Sequence, residues 1–280
     1  LAVDTKVMLA GISRASVYGT LELAEYAATA GYDVAMIKRP CASVERPQEM
    51  LTYFQAIADR SPLPIVLYST RSAAMQVEAI AALATHPGII GLIDEDSNAQ
   101  RIAQIRAETQ DISHEVAVTH VFAAATGRML VVKESAGAAT FVSAETLGGG
   151  SAVATAPPKP AIKTRAKNVG FQIIAASSSG LLEGLRAGAV GAMPAFAAST
   201  PQASYEVYAA WKDNDQPLAD VKQAHLEQAI DVVEKKFGSP GIRYASELTG
   251  YFGGRPRLPV LPLSGEAREA VERVMKGIRN

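Results

Sequence analysis

The sequence predicts an α/β protein built on a parallel sheet, and three observations carry that reading. Short apolar runs alternate with segments of helical periodicity over most of the chain, which is the order of βαβ units. The apolar runs are nearly continuous rather than alternating, as in strands covered on both faces. The 280 residues, 48% of them hydrophobic, are enough for one large core. That size fits a single α/β barrel as well as two smaller domains.

Residues 6–11 read as the first strand. Ser16 is placed to cap a helix carrying Leu21, Ala24, Ala27 and Ala28, which Gly31 stops. Residues 33–38 form the next strand, closed by Pro40, and residues 47–59 a helix with Met50, Leu51, Phe54 and Ile57 on one face. A third strand covers 64–68, with a helix after it to about Ala84. A fourth covers 89–93, followed by a helix over 98–107 that turns Ile102 and Ile105 inward. Residues 171–176 and 190–194 are the fifth and sixth strands, separated by a helix through Leu181, Leu182 and Leu185. The C-terminal part is helical, with Leu226, Ala229, Ile230, Val233 and Phe237, then Ala267, Val271, Val274 and Ile278, at helical spacing.

Residues 108–167 break this rhythm. Residues 115–123 and 128–133 alternate loosely about Thr126-Gly127, so the pattern predicts a β-hairpin. Gly148–Gly150 and the Pro157–Pro160 run read as connection, and the whole stretch as an insertion.

Lys+Arg total 27 and Asp+Glu 28, so the net charge of −1 offers no pull on nucleic acid or an anionic membrane. The single cysteine, Cys41, has no internal partner for a disulfide, which suits a cytoplasmic location. No apolar run is long enough to span a bilayer, and the first residues do not read as a signal peptide. The chain begins with Leu1, so further sequence is expected upstream.

Several phrases resemble one family in the right order. Residues 7–11 (VMLAG) are similar to its third barrel strand, and residues 33–40 to its fourth. Residues 61–68 (SPLPIVLY) match the fifth, which ends in a tyrosine. Residues 89–98 (IIGLIDEDSN) match the sixth, usually Gly-[IL]-Lys-[DE]-Ser-Ser-Gly-[DN]. Residues 171–176 and 184–201 resemble the seventh and eighth, and residues 241–262 the C-terminal helical stretch and tail. The family is that of dihydrodipicolinate synthase and N-acetylneuraminate lyase, pyruvate-dependent class I aldolases. The resemblance implies a TIM (β/α)8 barrel of which strands three to eight are present, with a C-terminal helical extension. Residues 1–107 and 168–280 would form the barrel and 108–167 the insertion. It further implies a small 2-oxo acid as partner, no cofactor and a homo-oligomer, tetramer or dimer.

In that family a lysine ending strand six forms a Schiff base with the ketone of pyruvate, and a tyrosine ending strand five relays protons. Tyr68 matches the tyrosine, against the simpler reading of a strand-end tyrosine packed under a loop. The lysine position is occupied by Ile93, which has no amine. Glu95 and Asp96 bring extra negative charge where the family has small residues. Lys38 and Arg39, ending the fourth family strand, are candidates for holding a substrate carboxylate or, for Lys38, supplying an amine; a snorkelling strand-end lysine is the alternative. Lys133 echoes the strand-six phrase but lies in the insertion. His86, His114, His120 and His225 are too scattered for a metal site, and Cys41 reads as a packed thiol. Gly148–Gly150 fits no nucleotide-binding turn and reads as a hinge. The loops Ser177–Ser179 and Ala198–Thr200, after the last two strands, either bind an anion or are simply solvated. The expected function is a lyase or aldolase acting on pyruvate or another small 2-oxo acid. Ile93 motivates the alternatives: a silent relative that binds a small acid or a protein partner, or enolate chemistry assisted by Arg39.

Overall fold

The computed structural model describes residues 6–40, 46–119, 125–130 and 164–278. Six parallel strands form one curled sheet: β1 (Leu9–Gly11), β2 (Val34–Lys38), β3 (Ile65–Ser69), β4 (Ile89–Asp94), β7 (Gln172–Ala175) and β8 (Gly191–Ala192), in that spatial order. Because spatial order follows chain order, each crossover carries a helix to the same side. These helices are α1 (Val17–Thr29), α2 (Pro47–Ala58), α3 (Val77–Ala84), α4 (Ala99–Glu108) and α6 (Leu181–Arg186). This is the arc expected of strands three to eight of a barrel.

Local chemistry sets the helix ends. The Ser16 hydroxyl accepts from the Gly19 amide and the Asn98 side chain from the Arg101 amide, caps worth about 1 kcal/mol each. Gly31 leaves α1 with φ +85°, a conformation without cost for glycine.

The pleat divides the apolar residues into two layers. Ala35, Ile37, Ile65, Leu67, Leu92, Ile173 and Ala175 face the helices and join the main core with Phe54, Ile80, Leu83 and Phe171. Val34, Val66, Ile93 and Ala176 face the concave side in a smaller cluster, with Met36, Tyr68 and Ile174 packed beside them. Phe54, Leu67, Leu92 and Phe171 are wholly buried, each contributing roughly 1.5–3 kcal/mol. The second core thus lies where the interior of a barrel would be.

The expected hairpin is corrected. β5 (His114–Thr119) pairs antiparallel with β6 (Thr164–Val169), matching His114 to Val169 and Thr119 to Thr164, and not with residues 128–130, the described part of the predicted second strand. Gly127–Leu130 opens a short helix, α5, instead of a strand. β5 and β6 form their own two-stranded sheet, separate from the six-stranded one. The excursion leaves the barrel after Glu108 and returns through β6 at Val169. It is tied back by Arg128, whose guanidinium meets the Asp33 carboxylate at 2.8 Å and the Lys6 carbonyl at 2.6 Å.

The chain continues through a 3-10 turn (Ala195–Ala198), α7 (Pro201–Lys212) and α8 (Gln216–Ala229). A π-helical stretch (Ile230–Lys236) leads into α9 (Gly238–Leu248), and α10 (Gly265–Met275) ends the fold. No helix among the described residues is long and apolar enough to cross a membrane.

Candidate active site

The carboxyl ends of the strands in an α/β barrel carry the side chains that point into the barrel mouth. One register row crosses that edge: Lys38 opposite Tyr68, Tyr68 opposite Ile93, Ile93 opposite Ile174, and Ile174 opposite Gly191. A bulge at the start of the β3–β4 pairing adds a residue to β4 at Ile90, and beyond it Tyr68 and Ile93 share the concave face. Ile93 is fully buried there, an apolar side chain directly beside the tyrosine.

Two residues beyond Ile93, Glu95 continues the ladder with its amide donating to the Ser69 carbonyl at 3.0 Å. The Tyr68 hydroxyl donates to Glu95 Oε1 at 2.5 Å, and the Arg71 amide donates to Glu95 Oε2 at 2.9 Å. An Arg71 guanidinium nitrogen also reaches the Glu95 carbonyl at 3.2 Å. Burial first, then the adjacent carboxylate, push the Tyr68 phenol well above its ordinary value, so it is a neutral proton donor at physiological pH.

The loop under Glu95 is held from below. The Asp94 side chain is completely buried and paired with Arg101 at 3.0 Å, while another Arg101 nitrogen donates to the Met75 carbonyl at 2.7 Å. Ser97 sits at φ +45° and bonds to the Asp94 carbonyl, and its oxygen accepts from the Ala176 amide at 2.8 Å. A non-glycine residue in this region persists only when its surroundings hold it. The carboxylate that meets Tyr68 therefore stands on a fixed support.

Around this pair lies a cleft of about 280 Å³ lined by Tyr68, Arg71, Glu95, Ser177, Met193 and Glu234, among others. Glu234 comes from the π-helical stretch and accepts a hydrogen bond from the Ser178 hydroxyl. Ser177 serves its own turn, its oxygen accepting from the Gly180 amide at 3.0 Å. Ser199 is buried and donates to the Phe196 carbonyl.

Of the expected site residues, Tyr68 lines the cleft and Lys38 and Arg39 do not. Lys38 is one strand away, exposed, its amide donating to Ser13 Oγ at 2.9 Å. Arg39 Nε is buried without a hydrogen-bonding partner among the described residues. Cys41, His120, Lys133 and Gly148–Gly150 lie outside the described residues. His86 meets Asp59 at 3.0 Å, far along the sheet from the mouth. Among the described residues no group of three or more His, Cys, Asp or Glu is placed to hold a metal ion. Sequence reasoning missed Arg71 and Glu234 and registered Glu95 only as charge. Glu95 had a signal, since it falls two residues past a concave-facing position on a strand.

A curled parallel sheet with helices on its convex side and a polar cleft at its carboxyl edge defines a protein of the TIM-barrel class. The chain belongs to the dihydrodipicolinate synthetase family, whose model matches residues 2–120 and 160–278. It is 28% identical over 279 residues to an L-threo-3-deoxy-hexylosonate aldolase of Aspergillus niger, spanning 96% of this chain and 72% of that protein. It is 22% identical to a 4-hydroxy-tetrahydrodipicolinate synthase of Acidiphilium cryptum, over 97% of this chain and 74% of the relative. A solved dihydrodipicolinate synthase from Bacillus anthracis superposes with a TM-score of 0.71 at 18% identity, covering 98% of this chain and 75% of that one. One from Bacteroides thetaiotaomicron gives 0.69 at 17%, covering 96% and 74%. The internal stretch the family model leaves unmatched, residues 121–159, falls within the segment 108–167.

Proposed function

We propose that this chain is a lyase of the aldolase type, making or breaking the carbon–carbon bond next to the methyl-derived carbon of a 2-oxo acid, with pyruvate as that acid. The observation that carries the reading is the Tyr68 hydroxyl, fixed by Glu95 at the carboxyl edge of the concave face in a chain of this family. The name of the Aspergillus niger relative supports a sugar-derived 2-oxo acid as the cleaved substrate. Tyr68 would carry the proton between the substrate hydroxyl and the reacting carbon. Arg71, in the cleft, is the candidate for the substrate carboxylate, with Arg39, just past the end of β2, as the second. The single cysteine and the family's usual assembly support a cytoplasmic homo-oligomer.

Ile93 favours a second reading, a family member that binds the acid without an imine, because it puts a hydrocarbon beside Tyr68. The test is incubation with pyruvate and borohydride, followed by intact-mass analysis and peptide mapping, alongside a lyase assay on 4-hydroxy-2-oxo acids. A trapped adduct on Lys38 or Lys133 assigns an imine to a relocated amine. Turnover without an adduct assigns the lyase reaction to enolate chemistry. Neither turnover nor adduct leaves a binding protein and rejects the lyase.

A further inference from the structure

Among the described residues the hydroxyls of Tyr53, Tyr68 and Tyr244 are bonded to a neighbouring oxygen; Tyr244 meets the Glu272 carboxylate at an exposed position away from the cleft, and the other two differ in the partner. Tyr53 donates to the Arg14 carbonyl at 2.8 Å and meets the Thr20 hydroxyl at 2.8 Å, neither of which can keep a proton. Tyr68 donates to a carboxylate at 2.5 Å and opens on a cleft. We propose that Tyr68 and Glu95 act as one proton-transfer unit, in which Glu95 takes the phenol proton as the phenol takes one from the substrate. This rests on the lyase reading above and adds to it a positioning residue and proton store, Glu95.

The geometry supports this in three ways. The Tyr68 O–H is committed to Glu95, so the oxygen lone pairs are what the cleft meets, and they can accept from a substrate hydroxyl. Glu95 is held by the Arg71 amide on its second oxygen, so the carboxylate does not swing away when the proton arrives. Ile93 packs beside the pair and keeps its surroundings apolar, which strengthens a charge-assisted bond. The other charged groups lining the cleft around the unit are Arg71 after β3 and Glu234 from the π-helical stretch.

In the cleavage direction the step balances within the site. The proton of the substrate's 4-hydroxyl moves to the Tyr68 oxygen as the Tyr68 proton moves to Glu95. The freed O–H electron pair becomes the carbonyl of the departing aldehyde. The carbon–carbon bond breaks, and its pair passes to the enolate, or the enamine, of the 2-oxo acid. Glu95 then returns its proton through Tyr68 to carbon, giving the methyl group.

The test is the intact chain with 13C-labelled tyrosine ring carbons, the Tyr68 signal assigned by its loss in Tyr68→Phe. In the wild type this signal should stay that of a phenol at alkaline pH where free tyrosine is ionised. In Glu95→Gln, which keeps the size and one acceptor, Tyr68 should ionise at lower pH. The same variant should cut kcat by about 10²-fold with little change in KM. An unmoved Tyr68 titration in Glu95→Gln overturns the pairing whatever the activity. A moved titration with unchanged kcat overturns the proton-store role and leaves the lyase reading standing. A moved titration in a wild type that cleaves no 2-oxo acid overturns the role because the lyase reading itself has failed.

Discussion

Tyr68, Ile93 and Asp94 show how much a single position decides. Tyr68→Phe removes one oxygen from a half-buried side chain and is expected to keep the fold while lowering kcat by about 10²–10⁴-fold, measured as aldehyde release. Ile93→Lys places an amine in the register row beside Tyr68, inside the concave cluster. Burial lowers a lysine's pKa and so favours its nucleophilic form. The variant is expected to gain a borohydride-trapped pyruvate adduct on that residue, with a lower melting temperature, and mass analysis without an adduct would refute it. Arg101→Met leaves the buried Asp94 carboxylate unpaired and is expected to cost about 3–5 kcal/mol in urea unfolding. Tyr68 and the missing amine were legible in the sequence because both fall at strand ends within a recognisable phrase. Arg71 was not, since it lies on a loop whose course depends on the Glu95 side chain it contacts.

At the scale of elements, the parallel strands declared themselves through their apolar runs and closing residues. The partner of β5 did not. Its mate begins at Thr164, and a local pattern at 128–133 that alternates loosely cannot announce a pairing that distant. Helix α5 is short, and the Arg128 contact with Asp33 that ties it down is invisible to periodicity. The β4–β7 pairing depends on Gly91. A Cβ there would sit 2.5 Å from the Gln172 carbonyl oxygen, so Gly91→Ala is expected to force the strands apart at a cost of about 1–3 kcal/mol, read from chemical denaturation. The π-helical stretch had no sequence signal, because its residues keep ordinary helical spacing of Ile230 and Val233. Yet it brings Glu234 to the cleft, and such wide turns are often found at functional sites.

For the whole molecule, the excursion and the barrel meet at Asp33. Burial raises this carboxyl, but the Arg128 hydrogen bonds and the Met8 amide outweigh it and hold it below the usual 3.8. A lowered pKa stabilises the fold above the unfolded value and loses that contribution as pH falls through the folded one. Arg128→Leu should therefore destabilise the protein more at neutral pH than at pH values well below 3.8, a difference two urea titrations would reveal. The sheet that joins these parts is open at both ends, with β1 and β8 each paired on one side only among the described residues. That asymmetry should be written into the rates at which backbone amides trade hydrogen for deuterium. Amides of β3 and β4, flanked on both sides, should retain hydrogen longest, and protection should fade outward to Leu9–Gly11 and Gly191–Ala192. A closed ring of strands has no such gradient, so the exchange map would report how far round this arc has been completed.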